Sequence, residues 1–387
     1  MRIVVAPDSF KGSASAVQVG EAMTAGLRKV WPQAEVDMIP LADGGQGTVE
    51  AMVRATGGKT RTVRVTGPLG EPADAMYGIL PDGTVVIEMA QASGLTLVEP
   101  VRRNPLRTTT YGTGELIRHA LDSGAPSIIL GISGSATNDG GAGMAQALGV
   151  GLYDAEGKEI GFGGEELAKL HSVDLTRLHP GVHTASIVVA CDVDNPLCGP
   201  AGASATYGPQ KGATPEMVEK LERALSHFAD VVEAKLGQSF RDVPGAGAAG
   251  GLGFGLMAFL GAKLQPGIKI LAAATRLEER VRRADLVFTG EGQMDWQTAH
   301  GKTVAGVASI AYSWGVPVVV ISGGLASGHE SLYDRGVAAM LSILPGPMSL
   351  SESMAQATLL IEAAAERAAR LIEVGRLSVK GQTQQHT

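Results

Sequence analysis

At 387 residues the chain is too long for one ordinary domain, so two are expected, each able to bury its own core. Hydrophobic residues make up 44% but aromatics only 4%, which leaves Ala, Val, Ile and Leu to fill those cores and suits helices packed on parallel strands. A net charge of −7 without a Lys/Arg stripe argues against a nucleic-acid partner, while Cys191 and Cys198 are too few for a disulfide scaffold and lack zinc-site spacing, which fits a reduced, cytoplasmic setting.

The opening MRIVVAPDSF has an apolar run that stops at Pro7 and Asp8, far short of a secretory segment. RIVVAP at 2–7 reads as a strand, and helical spacing continues through ASAVQVGEAMTAGLRKVW with Ser13 as its cap. VDMIPLA then reads as a second strand, TVEAMVRATGG as a helix closed by glycine, and TRTVRVT as a third strand. Such alternation marks parallel strands joined by crossover helices.

After Thr66 the texture changes, and GPLGEPADAMYGILPDGTVVIEMA reads as an antiparallel hairpin around Pro81-Asp82-Gly83. The middle region carries a helix in GELIRHALDSG, a strand in SIILGIS, a helix in GAGMAQALGV and a buried strand in SIVVACDV. GLGFGLMAFLGA at 251–262 is interrupted by glycine and too short to span a bilayer, so no membrane association is expected. From about 284 the alternation returns with ADLVFTGEG, KTVAGVASIAYSWG, VPVVVISGG, VAAMLSILP and a last helix ending in LIEVG; the polar tail after Arg376 is expected to be mobile. The fold class is therefore α/β with two domains: a discontinuous one formed by 1–66 and 284–387, and an inserted one, 67–283.

Ligands of open α/β sheets bind beyond the carboxyl ends of the strands, so the residues found there matter most. They are Asp8, Ser9 and Lys11; Asp43, Gly44 and Gly45; Gly290, Glu291 and Asp295; Gly323 and Gly324; and, in the inserted domain, Ser133 to Asp139, then Asp192 and Asp194. Each alone has an ordinary role as a turn former, a cap or a solvated charge. Together, clustered carboxylates with glycine turns suggest a divalent cation that bridges phosphates, and phosphoryl transfer needs that set of parts. No Walker loop is present, and GAGAAG at 245–250 matches a dinucleotide fingerprint in letters but follows Pro244 rather than a buried strand. A nicotinamide oxidoreductase and a sugar-acid binding protein are the competing readings; the second is usually exported, against which the opening residues count.

The runs APDSFKGS, LADGGQGT, GSATNDGGAGM, GPQKGA, PGAGAAGGLG and TGEGQMDWQTAHGKT, in this order along nearly the whole chain, resemble the bacterial glycerate kinase family of the first type. The resemblance implies a flavodoxin-like domain interrupted by a second α/β domain, and transfer of phosphate from ATP to D-glycerate, usually at the 2-hydroxyl, with magnesium (Mg2+). Gln46, Gln293 and Ser133 depart from the family pattern, where glutamate, arginine and glycine are usual.

On this reading Asp43 and Asp139 are expected to bind magnesium, Lys11 to offset charge on the transferring group, and Asp192 to act as the base. Amides at Gly44, Gly45, Ser135, Gly140, Gly141, Gly290, Gly323 and Gly324 are expected to face ATP, with Glu291 and Asp295 completing an acidic wall. Asp8 and Ser9 are expected near the substrate, and Arg107 or Lys211 at its carboxylate. Phosphorylation at the 3-hydroxyl, or of a related small hydroxy acid, is the alternative outcome. The only partner expected is the small-molecule substrate, for a monomer or homodimer.

Overall fold

The computed structural model describes residues 1–42, 44–295 and 303–384, with side chains as far as Arg376. Asp43, and the stretch 296–302 that holds His300 and Lys302, lie outside the described residues. Packing divides the chain into two compact units: Met1–Asp43, Glu50–Thr56 and Leu271–Thr387 form one, and Gly44–Val49 with Gly57–Ile270 form the other.

The first unit is built on a five-stranded sheet, wholly parallel, in the order Val337–Ser342, Val318–Ser322, Leu286–Thr289, Arg2–Val5, Glu35–Met38. Counted along the chain this is the flavodoxin-like order 2-1-3-4-5. Its inner strands VVVIS and LVFT are buried at every position, as strands covered on both faces must be. Helix Ala16–Val30 is capped by Ser15 rather than Ser13. The Ser15 hydroxyl accepts the Gln18 amide while the Gln18 side chain accepts the Ser15 amide, and the Ser13 hydroxyl donates instead to the Phe10 carbonyl. This helix packs on Ala357–Gln384, where Leu27, Ile361 and Ala365 join one core and Lys29 pairs with Glu362 at 2.7 Å. The last helix continues to Gln384, through the segment expected to be a mobile tail.

The second unit has a six-stranded sheet in the order Lys263–Gln265, Ser186–Ala190, Ser127–Gly131, Val85–Glu88, Pro72–Ile79, Lys59–Thr66. The first four strands run parallel and the last two pair antiparallel. Strand Lys59–Thr66 thus leaves the opening alternation and pairs along its whole length with Pro72–Ile79. The reason lies in its residues: Lys59, Arg61 and Arg64 are exposed and suit a sheet edge, and the Gly67 amide closes the turn on the Glu71 carbonyl at 2.6 Å. GLGFGLMAFLGA lies within and just beyond Ala248–Leu260, a helix buried in this unit's core, and no helix among the described residues is long and apolar enough to cross a membrane.

Candidate active site

At the carboxyl edge of its sheet the first unit holds a cavity of about 680 Å³. Asp8, Ser9 and Lys11 enter it from the end of Arg2–Val5, Glu291 and Asp295 from the end of Leu286–Thr289, and Gly323 and Gly324 from the end of Val318–Ser322. Parallel strands gather these distant segments because each one must exit the sheet at the same edge. Asp8 is only 4% exposed: one oxygen accepts the Ser9 amide at 2.6 Å and the other the Thr303 hydroxyl at 2.7 Å. It therefore ties the first loop to the start of helix Thr303–Ser313, while Lys11 beside it is exposed.

Part of the cavity wall is apolar and went unnoticed in the sequence: Ile343, Leu344, Met348, Leu350 and Met354. These come from the loop after Val337–Ser342 and from helix Leu350–Ala355. A local signal was available, since Ser349 and Glu352 form a capping box directly after the last strand's loop, with the Ser349 hydroxyl 2.7 Å from the Glu352 carboxylate.

The glycines at this edge do a different job from the one expected. The Gly323 amide donates to the Glu291 carbonyl at 3.3 Å and the Gly324 amide to the Gly292 carbonyl at 3.1 Å, so both are already taken. A Cβ on residue 323 would lie 2.4 Å from the Gly292 oxygen, and one on Gly290 only 1.8 Å from the Ile321 oxygen. Glycine is required because neighbouring backbones close on each other.

In the second unit the same holds more strongly. The Gly140 amide donates to the Gly250 carbonyl at 3.0 Å, the Gly141 amide to an Asp139 oxygen at 3.3 Å, and both glycines are buried. Ala249, Gly250 and Gly251 are left-handed in succession, and a Cβ on Gly250 would fall 2.0 Å from the Thr137 oxygen. GAGAAG therefore serves to pack against DGGAG, and no strand immediately precedes it as a dinucleotide site would require.

Asp139 is 1% exposed, and its carboxylate accepts the Thr110 amide and hydroxyl, both at 2.8 Å, together with the amides of Gly141 and Gly143 at 3.3 Å. Burial pushes its pKa up and the four hydrogen bonds oppose that. With four donors around it this carboxylate anchors a turn, which argues against its expected role as a magnesium ligand. Thr110 is a partner that sequence alone did not single out. Lys211 is 2% exposed and donates to the Thr137 carbonyl at 2.7 Å; burial pushes it down to about 7, with the Asp139 carboxylate opposing. An amine buried in this way and bound to the Thr137 carbonyl argues against the role expected for Lys211 at a substrate carboxylate.

Ser135 is buried at 6% exposure, in a bridge with Gly94. Gly44 lies against the sheet edge, where a Cβ would come within 2.6 Å of the Ala190 methyl, and the Gly45 carbonyl accepts the Thr48 hydroxyl at 2.7 Å. Asp192 is exposed just beyond Ser186–Ala190, and one of its oxygens accepts the Gly267 amide at 2.9 Å, at the start of helix Gly267–Ala274. Arg107 is exposed in the loop before helix Tyr111–Asp122. Among the described residues no group of three or more His, Cys, Asp or Glu side chains is placed to hold a metal ion.

Comparison with known proteins shows the family. Residues 3–373 match the Glycerate kinase family. The chain is 52% identical to the glycerate kinase of Halalkalibacterium halodurans over 95% of this chain and 97% of that one, and 51% identical to the glycerate kinase of Bacillus subtilis over 97% and 99%. It is 52% identical to the glycerate 2-kinase of Escherichia coli over 91% of this chain and 93% of the relative. A solved structure from Salmonella typhimurium LT2 that carries the name glycerate kinase 2 superposes with a TM-score of 0.88 at 49% identity, covering 97% of this chain and 99% of its own.

Proposed function

The chain belongs to the glycerate kinase family, and from that premise we infer that it transfers the terminal phosphoryl group of ATP to the 2-hydroxyl of D-glycerate, giving 2-phosphoglycerate and ADP. The observation that carries this is likeness over nearly the whole chain, at about half identity, to relatives named glycerate kinase and glycerate 2-kinase. It is a phosphotransferase with an alcohol acceptor.

We assign ATP to the cavity of the first unit. Its volume of about 680 Å³ suits a nucleotide, the Met348 and Met354 wall suits a purine face, and Lys11 lies where phosphates would sit. Magnesium fits this site in one manner only. It commonly keeps several waters and takes one or two carboxylates together with the substrate's phosphates, a part that Glu291 and Asp295 at the cavity can supply. Bound there it would neutralise charge on the phosphates.

The acceptor-side roles go to the second unit. Asp192 takes the proton of the attacking hydroxyl as the oxygen–phosphorus bond forms and the bond to ADP breaks, and the Gly267 amide holds that carboxylate in orientation. Arg107, exposed, is assigned to the substrate carboxylate in preference to the buried Lys211. We place the enzyme in the cytosol as a monomer or homodimer, in keeping with its two unpaired cysteines, Cys191 and Cys198.

Phosphorus NMR of a mixture of enzyme, D-glycerate and ATP tests the reaction and its regiochemistry together. An ester signal of 2-phosphoglycerate is expected. A signal of the 3-ester moves the reaction to the other hydroxyl, and absence of any ester overturns the reading.

A further inference from the structure

The amino edge of the first unit's sheet carries a second cavity, of about 320 Å³, at the start of Arg2–Val5 and against helix Leu277–Val281. Four arginines line it, Arg2, Arg276, Arg280 and Arg283. Three of them have a carboxylate partner: Arg2 with Glu35 at 3.0 Å, Arg280 with Asp37 at 2.9 Å, and Arg276 with Glu279. Arg280 also donates to the Ala55 carbonyl at 3.2 Å, which fixes its position. Among the described residues no carboxylate lies within ion-pair distance of Arg283. The Arg2 amide also donates to the Asp285 carboxylate at 2.8 Å, and Glu279 feels the charge of Arg283 as well as that of Arg276, so the charges around the cavity nearly balance and Arg283 is the guanidinium left without a direct ion pair.

A second observation is independent of charge. Arg276 stands at φ 54, and among the described residues only one other non-glycine, Ala249, has a positive φ. Ala249 belongs to the glycine interlock described above, whereas the turn at Arg276 lies between the buried Thr275 and Leu277 and brings Arg276 to the cavity wall and to Glu279. Backbone held in this region gathers at ligand sites. The Arg276–Glu279 pair is open to water, with side chains 71% and 50% exposed, so a stronger anion can exchange for the carboxylate at little cost.

We propose that this cavity is an anion site, separate from the nucleotide cavity, which binds a small phosphate-bearing anion on Arg283 and Arg276. A phosphate group takes a guanidinium fork on each side in a way that a planar carboxylate cannot. The small volume, at the lower end of ligand sites, fits inorganic phosphate or a three-carbon phosphate ester.

Calorimetric titration of inorganic phosphate and of glycerol 3-phosphate into the full chain tests this, with the melting temperature of each variant as a folding check. Binding is expected to persist in Lys11→Ala, to weaken about tenfold or more in Arg283→Ala, and to recover in part in Arg283→Lys. Arg276→Ala is expected to weaken it as well. Tighter binding of the ester identifies an organic phosphate as the ligand, and equal binding identifies the free ion. If Arg283→Ala titrates like the unaltered protein, if binding disappears in Lys11→Ala instead, or if neither probe binds in the millimolar range, the proposal is overturned. The kinase assay is scored separately, so failure here leaves the catalytic reading in place.

Discussion

The amide of Gly140 donates to the carbonyl of Gly250 at 3.0 Å, so two glycine-rich segments far apart in the chain close on each other through backbone alone. This contact explains a sequence pattern that otherwise looks like an anion cradle. Replacing Gly250 with Ala puts a methyl 2.0 Å from the Thr137 oxygen in a left-handed conformation, and is expected to destabilise the protein by about 2–4 kcal/mol. Gly237→Ala, at a left-handed helix end with open space around it, is expected to lose about 1 kcal/mol. Urea unfolding of both variants compares them; equal losses would remove the interlock from the account.

Lys211 supplies a pH signature of stability. Burial holds it at about 7 in the folded chain against an ordinary 10.5. Between those values the unfolded chain binds this proton more readily, so the destabilising effect is full below about 7 and fades as pH rises toward 10.5. The unaltered protein is thus expected to gain stability over this interval relative to Lys211→Met, which lacks this titrating group. Denaturant midpoints across the interval measure the difference, and parallel curves would mean that burial does not depress Lys211.

Asp192→Asn keeps an oxygen for the Gly267 amide, so the start of helix Gly267–Ala274 should survive. Turnover is expected to fall by about 10²–10⁴ with ATP affinity unchanged, because only proton acceptance is lost. Steady-state rates with a nucleotide titration separate the two, and near-normal turnover moves the base elsewhere.

Arg107→Gln removes the exposed guanidinium assigned above to the substrate carboxylate. The Michaelis constant for glycerate is expected to rise about tenfold while that for ATP stays put, in line with the loss of one charge-assisted pair. Equal constants for both proteins would return the carboxylate to another cation.

Local rules carried the reading of this chain a long way. The helices around 16–30 and 111–122, the buried runs LVFT and VVVIS, and the family resemblance all depend on residue order and spacing. Even the missed cap was a near neighbour, Ser15 for Ser13, because capping is decided by which hydroxyl reaches the third amide of the helix.

Sequence by itself determined the α/β class, the family and hence the reaction, since periodicity and motif order are properties of the chain read in one dimension. Tertiary structure alone decided that strand Lys59–Thr66 pairs with Pro72–Ile79, that the amides of Gly140, Gly141, Gly323 and Gly324 already have acceptors, and that Asp139 and Lys211 are buried. The physical reason is that a carboxylate, an ammonium or a peptide amide acts through what surrounds it. Those surroundings are supplied by backbone from remote segments, which no local pattern records.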